Sequence, residues 1–432
     1  MNRNQKGYLI LLFLVSPFLG VIKLFKIKDE KTLTFFGTLF FGLVGSVFVY
    51  LEGTDGHSHM MNAKARYLNM SFSEFFTQSY DVITFNAVEG AADFYIHILS
   101  YLSASVLQTP ELIHAFGGFI LGYFFTKSVL LLLKGNLKTK KSTILIGFIT
   151  LFMLIKSIEA LNSLRMWTGM WVLFYGSYGW AVYKKKIYLY IILFSILVHF
   201  AYIIVLIPLI ISFLFQNFKK TIIIFYLFSF FTTFSFSFFE SVIPKSDLIE
   251  SKQNTYAIDN EDKVKRFEEM KTNYKSVLNQ SNFYKAYGPS LYTTYSIVFL
   301  SFLLSFFYLK ETKDNNFKFL IATGIVIYAT SNLINFAPEL QGRLKIIAST
   351  FILAAAIRFY LTLKYYQLSA KSIRIINIIY IIFLISAIPV FLFQISDLFQ
   401  NTSFFILLFP QISWLLGDND ISIRQAIELF ID

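Results

Sequence analysis

The chain has 432 residues, of which 56% are hydrophobic and 15% charged, with a formal net charge of +12. That balance excludes a fold built for water alone and makes a bilayer the solvent. The lysines fall in short clusters between apolar runs, where positive-inside topology accounts for them and no nucleic-acid partner is implied. Cysteine is absent, which excludes disulfides, a thiol nucleophile and Cys-based metal sites.

Apolar runs of roughly 17 to 25 residues, the hydrocarbon thickness divided by the helical rise, recur from end to end. They cover 7–25, 34–51, 112–133, 142–159, 165–183, 187–215, 221–243, 291–309, 318–337, 343–363 and 375–395. The expected fold is therefore one all-α polytopic membrane domain over 1–432. It would have roughly 11–13 transmembrane helices, with re-entrant or interfacial helices on the outer face. The first run follows Met1–Gly7, contains Pro17 and lacks a small-x-small cleavage site, so it is expected to stay as a span.

Lysine-rich connections follow at Lys26/Lys28/Lys31, Lys134/Lys138/Lys140/Lys141, Lys184/Lys185/Lys186, Lys219/Lys220, Lys310/Lys313/Lys318 and Lys364/Lys371/Arg374, and the positive-inside rule sends all six to the cytoplasm. Segment 52–111 is then outside, and it is acidic: Glu52, Asp55, Glu74, Asp81, Glu89, Asp93 and Glu111 against Lys64 and Arg66. The same parity puts 160–164, 244–290 and 338–342 outside, and also the N-terminus, against the pull of Arg3 and Lys6. Segment 187–215 is too long for one straight crossing of a ~30 Å core, and both its flanks are basic. A helical hairpin turning near His199 satisfies both facts; one tilted helix is the alternative and would invert every later loop.

Segment 93–107 is short and carries His97, which suits an interfacial or re-entrant outer helix better than a crossing. The polar insertion 244–290 suits a lid over the outer face. At 404–432 a half-length apolar run broken by Pro410 leads into an amphipathic tail. No inverted repeat of the kind secondary transporters carry is present.

Two arginines stand where helix stability does not explain them. Arg165 follows Asn162-Ser163, a reasonable N-cap pair, and so falls in a first helical turn where the dipole disfavours a cation. Arg343, after Gln341-Gly342, occupies the same position on another outward-starting helix. Together with their helix N-termini they would bind an anion such as phosphate or pyrophosphate. The plainer reading is that each pairs with a nearby acid, Glu159 or Glu339, or reaches to lipid headgroups.

His199 is an ionisable group inside a 29-residue apolar stretch, which marks it for function unless it merely satisfies a backbone carbonyl at a helix break. Asp55, in Glu52-Gly53-Thr54-Asp55-Gly56, is a candidate general base or hydroxyl ligand, or else a solvated turn residue. Glu89 opens the stretch into the short outer helix and is positioned to share a face with Asp93 one turn on. His57 and His59 lack distant partners at metal-site spacing.

In order along the chain, several motifs resemble a known family, the EpsG-like branch of Wzy-type polysaccharide polymerases. Gly53-Thr54-Asp55 resembles its Gly-x-Asp, Glu89 its Glu-Pro-Gly-Phe segment, and Asn162-Ser163-Leu164-Arg165 its Arg-Gln helix start. Leu197-Val198-His199-Phe200 resembles its Phe-His motif, and Gly342-Arg343-Leu344 its late Arg-Tyr. Met166, Gly90 and Leu344 depart from the residues usual at those motifs, and no Arg precedes Gly53.

The resemblance implies a Wzy-like or glycosyltransferase-C-like fold in the bacterial inner membrane. It also implies glycosyl transfer between polyisoprenyl-pyrophosphate-linked oligosaccharides at the outer face, with a chain-length regulator as partner. Arg165 and Arg343 would stabilise the pyrophosphate leaving group, Asp55 or Glu89 would deprotonate the acceptor, and His199 would assist either side. No cofactor is required, although a divalent ion held by Asp55 stays open. Two rival functions remain: a transferase adding single sugars from a polyprenyl-phosphate donor, and a flippase for lipid-linked oligosaccharides.

Overall fold

A computed structural model of the chain describes residues 3–84, 93–136, 142–233, 288–310, 314–334, 336–363, 368–416 and 421–431. Glu89 and residues 244–287 of the long insertion lie outside that set. The described residues are overwhelmingly helical; pairing of the β kind is confined to the isolated bridges Phe48–Thr402 and Ser403–Ser422. A single apolar core cluster extends from Leu9 to Ile423.

The first run does not cross as one helix. α1 (Arg3–Val15) and α2 (Pro17–Leu24) meet at Ser16, which caps α2 by accepting from the Leu19 N–H, with Pro17 as the first helical residue. The two helices are antiparallel: Gly20 packs on the Phe13 ring, and a shared cavity brings Gln5, Tyr8 and Leu9 beside Lys23, Lys26, Ile27 and Asp29. The start of α1, with Lys6 in electrostatic reach of Asp29, thus returns to the end where α2 finishes. A proline-started turn thus folds the first run into a helical hairpin in place of one continuous helix and sets Lys6 at the same end as Asp29.

α3 (Glu30–Ser46) begins at the cap Asp29, and its partner α7 (Ile113–Leu132) lies along it at glycine contact distance. A methyl group on Gly45 would collide with the His114 carbonyl, and one on Gly118 with the Phe41 carbonyl. Such small residues let backbones approach where apolar burial gives no preference over lipid. Gly118→Ala is expected to destabilise the protein by about 1–3 kcal/mol, because a backbone rather than a flexible side chain must yield. Thermal unfolding in detergent measures this; an unshifted midpoint would show that the two helices are not held at this distance.

Between α3 and α7 the acidic segment forms α4 (Asp55–Asn62), α5 (Phe72–Ile83) and α6 (Phe94–Ser100), with α6 continued by a π-helical turn to Val106. The α6 helix is inserted among its neighbours. His97 is fully buried, bonded to Tyr67 Oη at 2.7 Å and stacked on Phe75.

α8 (Thr143–Leu154) and α9 (Leu164–Tyr183) are joined by the 3-10 turn Ile158–Leu161. α10 (Ile187–Val198) then runs back along α9: Tyr188 meets Gly179, Ile192 meets Gly176, and further on Tyr202 meets Gly169. α11 (Tyr202–Phe215) leaves α9 for another helix. Its residues Ser212 and Phe213 pack on Thr323 and Phe319. Gln216 then accepts from Tyr308, and Lys219 donates to the Lys310 carbonyl at 3.1 Å.

The chain therefore reverses at His199, and the two arms rest on different neighbours. At about 1.5 Å per residue, arms of 12 and 14 residues reach only about 18–21 Å, so the turn lies below the rim of a full crossing.

The remaining elements are α12 (Lys219–Phe228), α13 (Ile297–Leu309), α14 (Asn315–Leu333), α15 (Pro338–Thr362), α16 (Ala370–Ser386), α17 (Ile388–Asn401), α18 (Pro410–Leu416) and α19 (Ile423–Ile431). The described parts of the basic connections gather at one end. There Lys134 donates to Tyr183 Oη at 2.7 Å and lies in reach of Glu30, while Arg358 pairs with Asp314 at 2.8 Å beside Tyr178.

Among the described residues four helices are long and apolar enough to cross a membrane: Pro110–Leu132, Thr143–Leu161, Gly288–Leu309 and Pro338–Thr362. The pair α16 and α17, bent by 43°, would make a fifth. The other expected spans are shorter, broken or more polar. α9 is 20 residues long but mostly buried against other helices, so it needs less apolar surface than a lipid-facing one. Lipid-facing character is plain on α11 and α16, where Ile207, Ile210, Leu214, Ile378, Ile382 and Ile385 are exposed.

Candidate functional site

At the end of the bundle away from the basic connections, four chain breaks bring polar groups together. The first is the start of α4. Gly53 turns the chain at φ 79°, a conformation glycine tolerates. Thr54 then caps the helix by accepting from the His57 N–H at 3.3 Å. Asp55, exposed, accepts from Ser163 Oγ at 3.2 Å, and the Gly56 N–H donates to Asn162 Oδ1 at 3.2 Å. The Asn162-Ser163 pair was expected to cap the helix of Arg165. Neither does so through Ser163, which makes no cap bond to α9; both side chains reach across to α4 and fix it against the α8–α9 turn.

Asp93 stands at the start of α6, yet its carboxylate does not cap that helix. Oδ2 accepts from Arg165 Nη1 at 2.6 Å and meets His199 Nδ1 at 3.0 Å, while Oδ1 accepts from the Phe200 N–H at 2.7 Å. The Phe200 N–H is available because α10 ends at His199 in extended backbone, φ −155° and ψ 120°. The break within 187–215 therefore presents both the imidazole and a backbone donor to one carboxylate.

The Asp93 side chain is 2% exposed. Burial pushes its carboxyl pKa up, but the His199 charge and hydrogen bond, the Arg165 charge and the Phe200 N–H together outweigh this and hold it at about 2. An ionised Asp93 has no proton to give, so the hydrogen shared with His199 belongs to Nδ1. Nε2 is the ring nitrogen that the carboxylate does not engage.

Arg165, 17% exposed on its side chain, spends one nitrogen on Asp93 and retains further N–H donors of its fork. Glu159, the partner the sequence offered for it, pairs instead with Lys156, which lies over the Trp167 ring. Arg343 does approach Glu339, at 3.7 Å. It also lies in electrostatic reach of the Tyr202 phenol, whose hydroxyl donates to the Met166 carbonyl at 2.6 Å, next to Arg165 in sequence. Of the expected residues, then, Asp55, Arg165 and His199 converge, Arg343 stands at the same end beside Tyr202, and Glu89 is outside the described residues.

His59 completes the cluster. Its ring is 8% exposed, Nε2 has no hydrogen-bond partner, and Arg165, Asp55, Asp93 and His199 all act on it electrostatically. Burial and then the Arg165 charge push its pKa down to about 4, against the pull of Asp55 and Asp93, so the ring is neutral at pH 7. No family model, curated protein or solved structure matches the chain.

The chemistry therefore rests on the residues themselves. The ensemble offers a cation with spare donors (Arg165), an imidazole oriented through Nδ1 by a buried carboxylate (His199 on Asp93), an exposed carboxylate (Asp55) and a neutral buried imidazole (His59). Among the described residues, no group of three or more His, Asp or Glu is arranged to hold a metal ion. By sequence alone Asp93 is one of the acids of 52–111 and a helical neighbour of Glu89, and His59 is an improbable metal ligand. An acid directly before the apolar stretch Phe94–Ser100 was the available signal for the first; none existed for the second.

Proposed function

We propose that this chain is a membrane glycosyltransferase of the polysaccharide-polymerase type, similar to the EpsG-like branch of Wzy-type enzymes. It joins polyisoprenyl-pyrophosphate-linked oligosaccharide units at the extracytoplasmic face of the bacterial inner membrane. The observation that supports this reading is the meeting of Arg165 and His199 on one buried carboxylate, Asp93, at the end of the bundle opposite the basic connections. In the proposed orientation those connections are cytoplasmic and some of the shorter helices complete a polytopic domain of about 11–13 spans.

The reaction breaks the bond between the donor sugar C1 and the pyrophosphate oxygen and forms a bond from C1 to the acceptor hydroxyl oxygen. His199 Nε2 takes the hydroxyl proton as the new bond forms, and Asp93 stabilises the imidazolium that results. The departing pyrophosphate carries the negative charge, which the spare donors of Arg165, together with Arg343, neutralise. The proton on His199 then passes to the released pyrophosphate or to water. Asp55 is placed to hold an acceptor hydroxyl at the mouth of the site.

The test is the surface-polysaccharide length profile of cells carrying only Arg165→Ala or Arg343→Ala, at matched protein level. Loss of the polymer ladder with single repeat units retained is the expected result, with activity down by about 10²-fold or more for each. An unchanged ladder removes both arginines from the mechanism. Loss of one terminal sugar would indicate a single-sugar transferase, and accumulation of inward-facing lipid-linked units a flippase.

A further inference from the structure

The turn-back of α1 onto α2 creates a second polar site at the opposite end of the molecule. A cavity of about 520 Å3 opens there between Gln5, Tyr8 and Leu9 on one arm and Lys23, Lys26, Ile27, Lys28 and Asp29 on the other. That volume lies within the roughly 300–1,000 Å3 of small-ligand sites. Three ammonium groups face one carboxylate, and that carboxylate is already engaged: Asp29 accepts from the Thr32 N–H at 2.9 Å and from its hydroxyl at 2.5 Å. Among the described residues none of Lys23, Lys26 and Lys28 makes an ion pair. Lys6 and Lys31 add to the local excess of positive charge.

The surface leading away from this cavity is apolar. Tyr8, Leu11 and Leu14 on α1 are exposed, and so are Ile22 and Leu19 on α2 and Phe25 directly after it. In the antiparallel register these fall at matching levels along the hairpin. A cationic cavity continued by an exposed apolar face along the bundle matches a ligand with an anionic head and hydrocarbon tails. A soluble anion would use the lysines and gain nothing from the hairpin.

We infer that the cavity between the start of α1 and the α2–α3 connection is a binding site for an anionic phospholipid, with the phosphate held by Lys23, Lys26 and Lys28 and the acyl chains along the α1–α2 hairpin. Gln5 and the Tyr8 hydroxyl supply hydrogen bonds for the glycerol region. The site requires only that the bundle lies in a bilayer, and it is independent of the glycosyl-transfer reading.

The experiment is native mass spectrometry of the purified full chain in detergent with phosphatidylglycerol, phosphatidylcholine or inorganic phosphate added separately. Wild type is expected to retain one phosphatidylglycerol in clear preference to phosphatidylcholine, and millimolar phosphate to displace little of it. K23Q/K26Q/K28Q is expected to lose that preference at least tenfold at unchanged melting temperature, while K184Q/K185Q/K186Q keeps it. Should the triple variant fail to fold, K26Q alone must weaken retention about threefold. Equal loss in both lysine triples would reduce the effect to general surface charge, and full displacement by phosphate would make the site one for a soluble anion; either overturns the proposal, as does unchanged retention in K23Q/K26Q/K28Q.

Discussion

Asp93→Asn is expected to lower turnover by about 10³-fold or more while also destabilising the fold by about 3–5 kcal/mol. The substitution keeps size and shape but removes the one negative charge that, among the described residues, both Arg165 and His199 contact. Two cationic or polarisable groups would then be buried without their counter-charge. An amide side chain can also present N–H to His199 Nδ1, which favours the wrong tautomer and takes the acceptor nitrogen away from the site.

Polymer length profiles and thermal unfolding in detergent together measure the two effects. Wild-type stability with wild-type turnover in D93N would remove the cluster from both folding and mechanism. The same carboxylate adds an acid-side dependence. Its folded pKa of about 2 lies below the ordinary 3.8, so the stability it contributes is complete above about pH 4 and is lost as pH falls through about 2. That contribution is roughly 2 kcal/mol.

The second large effect belongs to His59. In the unfolded chain its ring takes up a proton near the ordinary 6.5, whereas in the folded protein it does so only at about 4. Between those values the unfolded state binds the extra proton, so stability rises with pH. The contribution is complete above about pH 6.5 and falls away as pH drops to about 4, by roughly 3 kcal/mol in all. His97, whose pKa is also lowered by burial, adds to the same slope.

His59→Gln is expected to remove about one proton from the pH dependence of unfolding between pH 4 and 6.5 and to leave the part due to His97. Midpoints of denaturant unfolding at a series of pH values give the slope directly. A slope identical to wild type would mean that His59 is solvated, not held neutral among Arg165, Asp55, Asp93 and His199.

Lys156 and Glu159 illustrate how a charge deep in an apolar chain need not be part of a reaction. Both are nearly buried, they neutralise each other, and Lys156 bonds through its carbonyl to the Trp171 indole at 2.7 Å. Their positions fix the α8–α9 turn, from which Asn162 and Ser163 then reach α4. The functional residues thus stand on a polar scaffold that the bundle buries for geometry.

Composition and run length were enough to specify a helical chain with apolar spans, because the bilayer imposes one length on every crossing helix and leaves a strong one-dimensional signal. Local chemistry was legible at the interruption around His199, since a polar residue in an apolar run acts within a few residues, whereas the caps at Ser16 and Thr54 were not read as helix starts. Topology was harder to read. Run length counts residues but not their direction, so the α1–α2 turn-back could not be distinguished from a crossing until Gly20 was found against Phe13.

The site was hardest of all. Asp93, Arg165 and His199 are 72 and 106 residues apart from Asp93 onward, and no local pattern tells a carboxylate which distant cation it will neutralise. That choice is made by packing: the approach of α6 to α10, and of α9 to both, places one anion where burial is tolerable only if Arg165, His199 and the Phe200 N–H all point at it.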